Sequence, residues 1–353
     1  HSTCKRHNGA KSTGIKYKEW ICSVSECNRR IMESMGLQQP KKKKKKKRNA
    51  VYDWLGYAAL RAGLVILHLF PIRWNLRFAC LLGRLMWKHY HRGRIRALDN
   101  LRAAFPQRDP SWHEETGKRS FQQIVMLVMD IFFTPRLAVK ERWRDYARLI
   151  NIERVKWMMQ EKQGLLMATG HYGNFEIIGY MLGQWGFNVY SIARPLDNPF
   201  INTYLYGIRQ RKGQKIIDKF GASDQMEQLA KEGATLCFIA DQDAGRKGLF
   251  VDFFGRKASS YKSIPLLAIH YDMPIAIGGA RRVGDNFFFE LECSRIILPQ
   301  EWKERENPVQ WLAQEYTTAL EDFIRKDPTQ YWWVHRRWKT RPRQELQQES
   351  KLE

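Results

Sequence analysis

Negative charge is scarce in this 353-residue chain: 36 Asp and Glu stand against 60 Lys and Arg, a formal net charge of +24. That imbalance disfavours basic partners and favours anionic ones: phospholipid, nucleic acid, phosphorylated glycans or an acidic protein. Metal-type cysteine spacing is missing as well. The six cysteines (Cys4, Cys22, Cys27, Cys80, Cys237 and Cys293) are scattered, and no second pair complements Cys22 and Cys27 to complete a zinc site. A reduced compartment is the simplest reading. No internal repeat is present. A long, clean membrane span is lacking too. Residues 54–70 form a run of seventeen with only Arg61 and His68 polar, short of the roughly 20 apolar residues that cross a bilayer.

What is present falls into four stretches. Residues 1–50 hold fifteen Lys and Arg against three Glu, so they supply half of the net charge and leave +12 on the remainder. They lack apolar periodicity and include eight adjacent cations at 41–48, which repel one another and stay solvated. This predicts a disordered basic tail, either an incidental solvated run or a polybasic attractor for anionic lipid. The chain begins at His1 rather than Met, as a truncated or mis-set start would. Residues 51–98 are expected to be a membrane-associated helical segment. Basic residues flank both ends of the run 54–70, so it has no clear orientation across a bilayer. A helix lying in one leaflet and ended by Pro71 fits better, with Trp74, Trp87 and Tyr90 at headgroup level; an ordinary buried core helix is the alternative. Residues 99–342 are expected to form the folded domain and 343–353 a flexible tail.

Within 99–163 the pattern is helical, with Phe121, Ile124, Val125, Leu127 and Val128 forming a core-facing stripe. Beyond it, short apolar runs at 165–169, 188–192, 235–240, 274–277 and 287–291 read as strands. Helical stretches at 177–185, 199–212, 223–231 and 261–271 lie among them. This alternation predicts an α/β fold, a largely buried sheet flanked by helices.

The segment His171-Tyr172-Gly173-Asn174-Phe175-Glu176 closes the first of those strands. Gly173 permits a tight turn and Asn174 is a plausible N-cap of the helix that follows. On one continuous helix His171 and Glu176 would lie about 140° apart, but a turn between them removes that obstacle. Glu176 then accepts a bond from one imidazole nitrogen and leaves the other as a base. A satisfied structural histidine is the plain alternative.

Four ordered segments stand out: Ala168 to Glu176; Ala193-Arg194-Pro195-Leu196-Asp197-Asn198-Pro199; Ile239-Ala240-Asp241-Gln242-Asp243-Ala244-Gly245, continuing to Val251-Asp252-Phe253-Phe254-Gly255; and Tyr331 to Pro342, which carries Trp332, Trp333, His335, Arg336, Arg337, Trp338, Lys339 and Arg341. Together they resemble the motifs of the bacterial lipid A biosynthesis acyltransferases, the lauroyl and myristoyl transferases of lipopolysaccharide assembly. The resemblance covers about residues 51–342 and leaves the tail unexplained. It implies a glycerolipid acyltransferase-like fold and transfer of a fatty acyl group from acyl-acyl carrier protein to a hydroxyl of a phosphorylated lipid A precursor. On that reading His171 is the base, Glu176 orients it, and Arg194 stabilises the oxyanion or clamps a phosphate or pairs with Asp241. Asn174, Asp241, Asp243, Arg246, His335, Arg336, Arg337 and Lys339 bind substrate. No cofactor and no metal are expected; the partners are membrane lipid, the acidic acyl carrier protein and the glycolipid acceptor, at the cytoplasmic face of a bacterial inner membrane.

Rivals remain at this stage. Transfer to a glycerolipid or another glycolipid would use the same histidine, although Glu176 rather than Asp at the fifth position favours lipid A. Asp241-Gln242-Asp243 resembles a metal-holding pair of a nucleotide-sugar transferase, but Arg246 and Lys247 follow at once and favour ion pairing. The aromatic-basic carboxy-terminal run suits nucleic acid in a non-catalytic binding protein. Arg forks bind lipid phosphate equally well, and no nucleic acid partner is expected.

Overall fold

In the computed structural model, residues 49–342 are described except 219–221. Residues 1–48 of the expected basic tail and the whole expected tail 343–353 lie outside the described residues.

Seven strands form one sheet: β1 (Ala147–Ile150), β2 (Leu165–Thr169), β3 (Val189–Ala193), β4 (Lys215–Asp218), β5 (Thr235–Ile239), β8 (Ile275–Arg282) and β9 (Phe289–Ile297), in the order β1-β9-β8-β2-β5-β3-β4. Every neighbouring pair is parallel except β8 with β9. β6 (Leu249–Phe253) and β7 (Arg256–Ser260) form a separate hairpin. Its two turn residues, Phe254 and Gly255, both have positive φ, as a type I′ turn demands.

The sheet is covered on both faces, and the period-2 alternation of β2 sorts its side chains accordingly. Leu166 and Ala168 join a core with Ile264, Leu312, Phe323 and Trp333; Leu165 and Met167 face Val155, Met158 and Leu182 on the other side. The helices that supply these partners are α5 (Glu153–Gln160), α6 (Phe175–Gln184), α9 (Ser263–His270) and α10 (Pro308–Arg325). Leu166 is wholly buried, a burial worth about 1.5–3 kcal/mol for a side chain of this size. Two further helices, α7 (Pro199–Gln210) and α8 (Ala222–Lys231), follow β3 and β4.

The amino-terminal part folds into α1 (Ala50–His68), α2 (Ile72–His89), α3 (His91–Ala104) and the 28-residue α4 (Pro110–Leu137). α2 and α3 pack on α4, and Trp87, expected at headgroup level, is instead buried against Phe121 in a core shared with Ala97 and Leu101. On α4 the expected stripe holds at Phe121 and Leu127, but Val128 is exposed and polar Gln122 and Gln123 are buried. α1 ends before Pro71, as expected, and the Nδ2 of buried Asn75 donates to Leu67 O (3.0 Å) and Phe70 O (3.2 Å) at its close. His68 stacks on Phe133 with ring centres 4.4 Å apart, and its carbonyl accepts from Arg136 at 3.0 Å.

α1 is long and apolar enough to cross a membrane, and only Asp53 and Leu64 of it are buried. α2 carries a second apolar surface. At about 100° per residue, exposed Trp74, Phe78, Leu81 and Leu85 form a stripe opposite buried Leu76, Ala79 and Gly83. Arg73, Arg77, Arg84 and Lys88 lie along one flank of that stripe, all exposed.

Candidate active site

β2 and β5 are adjacent and parallel, with Thr169 opposite Ile239. Two residues beyond each strand, at the carboxyl end where open α/β sheets place their sites, stand His171 and Asp241. The register therefore brings together two residues that are 70 apart in sequence. His171 Nδ1 lies 2.8 Å from Asp241 Oδ1, and the His171 backbone N–H donates to Asp241 Oδ2 at 2.8 Å. Asp241 is buried, which opposes its ionisation. The neighbouring His171, through charge and hydrogen bonds, and His335 through charge nevertheless hold its carboxyl well below the usual range. An ionised Asp241 accepts a hydrogen bond from Nδ1–H, which keeps the proton on that nitrogen and leaves the Nε2 lone pair free, the tautomer of a base.

The turn that carries His171 is clamped by backbone. Gly173 N–H donates to Gln330 O (3.0 Å) and Asn174 N–H to Ala280 O (2.9 Å). Gly173 has φ +51°, and a Cβ there would overlap Ala280 O. Asn174 is the expected N-cap: its Oδ1 accepts from Ile177 N–H at 3.0 Å, and its Nδ2 donates to Asp130 at 3.3 Å. Asp130 is itself buried and ion-paired with buried Arg282; burial raises its carboxyl to about 6 although Arg282 pulls the other way. Asn174 is thus a part of the scaffold behind the histidine.

The remaining predicted residues separate. Glu176 does not engage His171: helix α6 carries it onto Arg209 of α7, which donates Nε and Nη2 at 2.8 and 2.5 Å. Asp241 takes the orienting position expected of Glu176. Arg194 is exposed in a cavity wall, and among the described residues no ion pair joins it to Asp241. Asp243 turns away from His171 and accepts from Thr340 Oγ1 at 2.9 Å. Arg246, Arg336 and Lys339 are exposed.

Arg337, expected to bind substrate, is instead buried, donating to Gln242 O (3.3 Å), Ser259 O (2.5 Å) and Ser260 Oγ (2.6 Å). Its guanidinium ties the segment after β5 to the hairpin through Nη1 and Nη2. Trp333 and Trp338 are core residues. Trp332 walls the site, with its ring centre 5.0 Å from that of His171.

His335 sits edge to face with His171, centres 4.2 Å apart. Burial and then the charge of His171 push its imidazole down to about 4, against the pull of Asp241, so it is neutral near pH 7. His171, Asp241 and His335 are the one group among the described residues close enough to suggest a metal, with a ligand atom of each within 4.8 Å of the others. A zinc ion about 2.0–2.1 Å from each ligand needs them within roughly 4 Å of one another, so the set would have to contract. Asp243 is outside this group, which removes the convergent carboxylate pair that a sugar-nucleotide metal site requires.

Beside the histidine opens a cavity of about 1550 Å³, walled by Leu127, Val128 and Ile131 of α4, by Ile178 and Leu182 of α6, and by Leu205 of α7. His171, Phe175 and Trp332 line it at the strand ends, and Glu176, Arg194 and Arg209 add its charged wall. It exceeds the 300–1,000 Å³ that suits a drug-sized ligand and has the apolar lining that a long hydrocarbon chain needs. Sequence reasoning did not assign Gln242, Arg209, Asp130 or Arg282; only Gln242 lay within a recognised motif.

Residues 39–340 match the family described as bacterial lipid A biosynthesis acyltransferase. The lipid A biosynthesis lauroyltransferase of Escherichia coli (strain K12) is 27% identical over 296 residues, 82% of this chain and 92% of the relative. The palmitoleoyltransferase of the same organism is 24% identical over 70% of this chain and 78% of its own length, and the myristoyltransferase 22% over 83% and 88%. With a histidine-bearing strand turn, a carboxylate behind it and an apolar cavity beside it, the chain is an acyltransferase and belongs to the bacterial lipid A biosynthesis acyltransferase family.

Proposed function

We propose that this protein transfers a fatty acyl group from acyl-acyl carrier protein to a hydroxyl of a phosphorylated lipid A precursor, with His171 as general base and Asp241 as the group that orients it. The observation that carries the reading is the buried Nδ1 to Asp241 bond of 2.8 Å at the edge of a cavity large enough for an acyl chain. The hydroxyl loses its proton to Nε2 as its oxygen attacks the thioester carbonyl, and Asp241 stabilises the imidazolium that forms. No covalent acyl-enzyme is needed, because a thioester is already activated. Arg194, exposed in the cavity wall, takes the phosphate-clamp role, and exposed Arg246, Arg336 and Lys339 offer further cations to phosphate or to the acidic carrier.

The site works at a membrane. α1 and the apolar stripe of α2 give the protein a lipid-facing surface, and the flanking arginines suit anionic headgroups. The donor is cytoplasmic, so the catalytic domain belongs on the cytoplasmic face of the bacterial inner membrane. The names of the relatives support a lauroyl-, myristoyl- or palmitoleoyl-sized chain.

The test is acyl transfer by membranes carrying the wild type or His171→Ala, with radiolabelled acyl-acyl carrier protein and a lipid A precursor. We expect wild-type transfer and a loss of about 10²–10⁴-fold in the variant, with the protein still folded and membrane-bound. Transfer that survives in His171→Ala would sink the mechanism.

A further inference from the structure

The residue beside the free nitrogen of the base is Gln242. Its Nε2 lies 3.5 Å from His171 Nε2, a long and weak hydrogen bond. Because His171 Nδ1 is committed to Asp241, Nε2 is an acceptor, so the amide end that faces it is the N–H end. Gln242 is exposed, while its carbonyl is held by the buried guanidinium of Arg337. The backbone is therefore fixed and the side chain is free to turn.

From this geometry we infer that Gln242 is a catalytic residue, the amide donor that stabilises the oxyanion formed when the acceptor hydroxyl attacks the acyl thioester. The inference rests on the acyl-transfer reading and adds a role to it. An attacking oxygen must come within about 2.6–3.2 Å of Nε2, into the space that the amide now closes. The incoming hydroxyl displaces the amide from the imidazole, and the freed N–H turns to the thioester oxygen one bond further on. As the new C–O bond forms, the hydroxyl proton passes to His171 Nε2 and the carbonyl π pair moves onto its oxygen, facing Gln242. Collapse breaks the C–S bond. The departing thiolate takes the proton from the imidazolium, leaving an ester and a free thiol. In the resting enzyme the same amide occupies the base and releases it only to a ligand that competes for it.

This also gives the carboxy-terminal signature a purpose apart from substrate binding. Arg337 fixes the backbone from which Gln242 projects and is a positioning residue.

The test uses the full chain in membranes, with acyl-acyl carrier protein as donor and two acceptors read separately, water and a lipid A precursor. Gln242→Met keeps the bulk of the exposed side chain and removes the donor. We expect kcat to fall about 100- to 1000-fold with either acceptor. The donor KM should change less than about threefold, and the pH profile should keep its shape because the base is untouched. Gln242→Glu, which sets a negative charge against the oxyanion, should fall further. If Gln242→Met keeps kcat within about threefold, or loses activity only through KM, the assignment is overturned while wild-type turnover leaves the acyltransferase reading standing. If the wild type turns over the thioester with neither acceptor, the reading itself fails and the assignment with it.

Discussion

The strand-end site and the amino-terminal helical face are built on opposite rules. At the first, charged groups are buried against partners: Asp241 spends both oxygens on His171, and Arg337 and Arg282 are locked onto buried acceptors. At the second, apolar groups are exposed and unmatched, with Trp54, Leu55, Ile66, Trp74, Phe78 and Leu81 all about half exposed or more. In water the second arrangement costs free energy, whereas against hydrocarbon it is favourable. One region is finished by the chain itself, and the other is what a lipid surface would complete.

The sharpest way to break that contrast is at the site. Asp241→Asn should lower kcat by about 10³–10⁴-fold, since an amide favours the wrong tautomer of His171. Glu176→Gln should cost less and should match Arg209→Gln, because those two side chains serve each other. Steady-state kinetics of the three variants and of the double variant checks this; a Glu176 loss equal to that of Asp241 would restore Glu176 to the histidine.

A smaller effect is expected at the helical face. Replacing Phe78 and Leu85 together by Ser should weaken binding to anionic vesicles about 10- to 100-fold, at roughly 1 kcal/mol or more for each half-exposed side chain. Transfer to detergent-dispersed substrate should stay within about threefold. Vesicle flotation and a detergent assay read the two separately, and equal losses in both would show that the stripe belongs to the active fold.

The last effect is a titration. The His335 imidazole is pushed down from 6.5 to about 4, so the unfolded chain binds its proton first. Its contribution to stability is full above pH 6.5 and is lost as pH falls towards 4, by up to about 3 kcal/mol. Asp130, raised from 3.8 to about 6, acts in the opposite sense: its folded form gains as pH falls through 6. Denaturant melts of the wild type and His335→Asn from pH 7.5 to 4 should therefore show the wild type losing ground to the variant below pH 6.5. A constant gap would mean that His335 is not held neutral.

How much of this was legible follows from range. β2, β3 and β5 announced themselves as apolar runs, and α6, α7 and α8 were found to within a few residues. β1, β4, β6 and β7 were not. β1 is four residues inside a helical-looking stretch, β4 (Lys-Ile-Ile-Asp) is a polar edge strand, and β6 and β7 are joined by a turn in which Phe254, not a usual turn former, takes positive φ. The same limit applies to the site. His171 was visible because glycine and a cap surround it locally. Glu176, five residues on, is readable from the sequence as its partner, whereas the strand register that sets Asp241 against Nδ1 is not. The signal did exist: His171 and Asp241 each stand two residues past a five-residue apolar strand, a symmetry that becomes a contact only when β2 and β5 lie side by side.

Asn75 has the widest consequence. Its one amide holds the carbonyls of Leu67, Phe70 and Pro71 where α1 closes, while Phe133 and Arg136 grip the same end from α4. α1 is therefore no tether that can swing. It is a rigid handle of about 28 Å, close to the 30 Å of a hydrocarbon core. Any depth or tilt that a lipid surface imposed on α1 would therefore be carried to the fold that holds the cavity, and would set how far the proposed base could reach along a membrane-held acceptor.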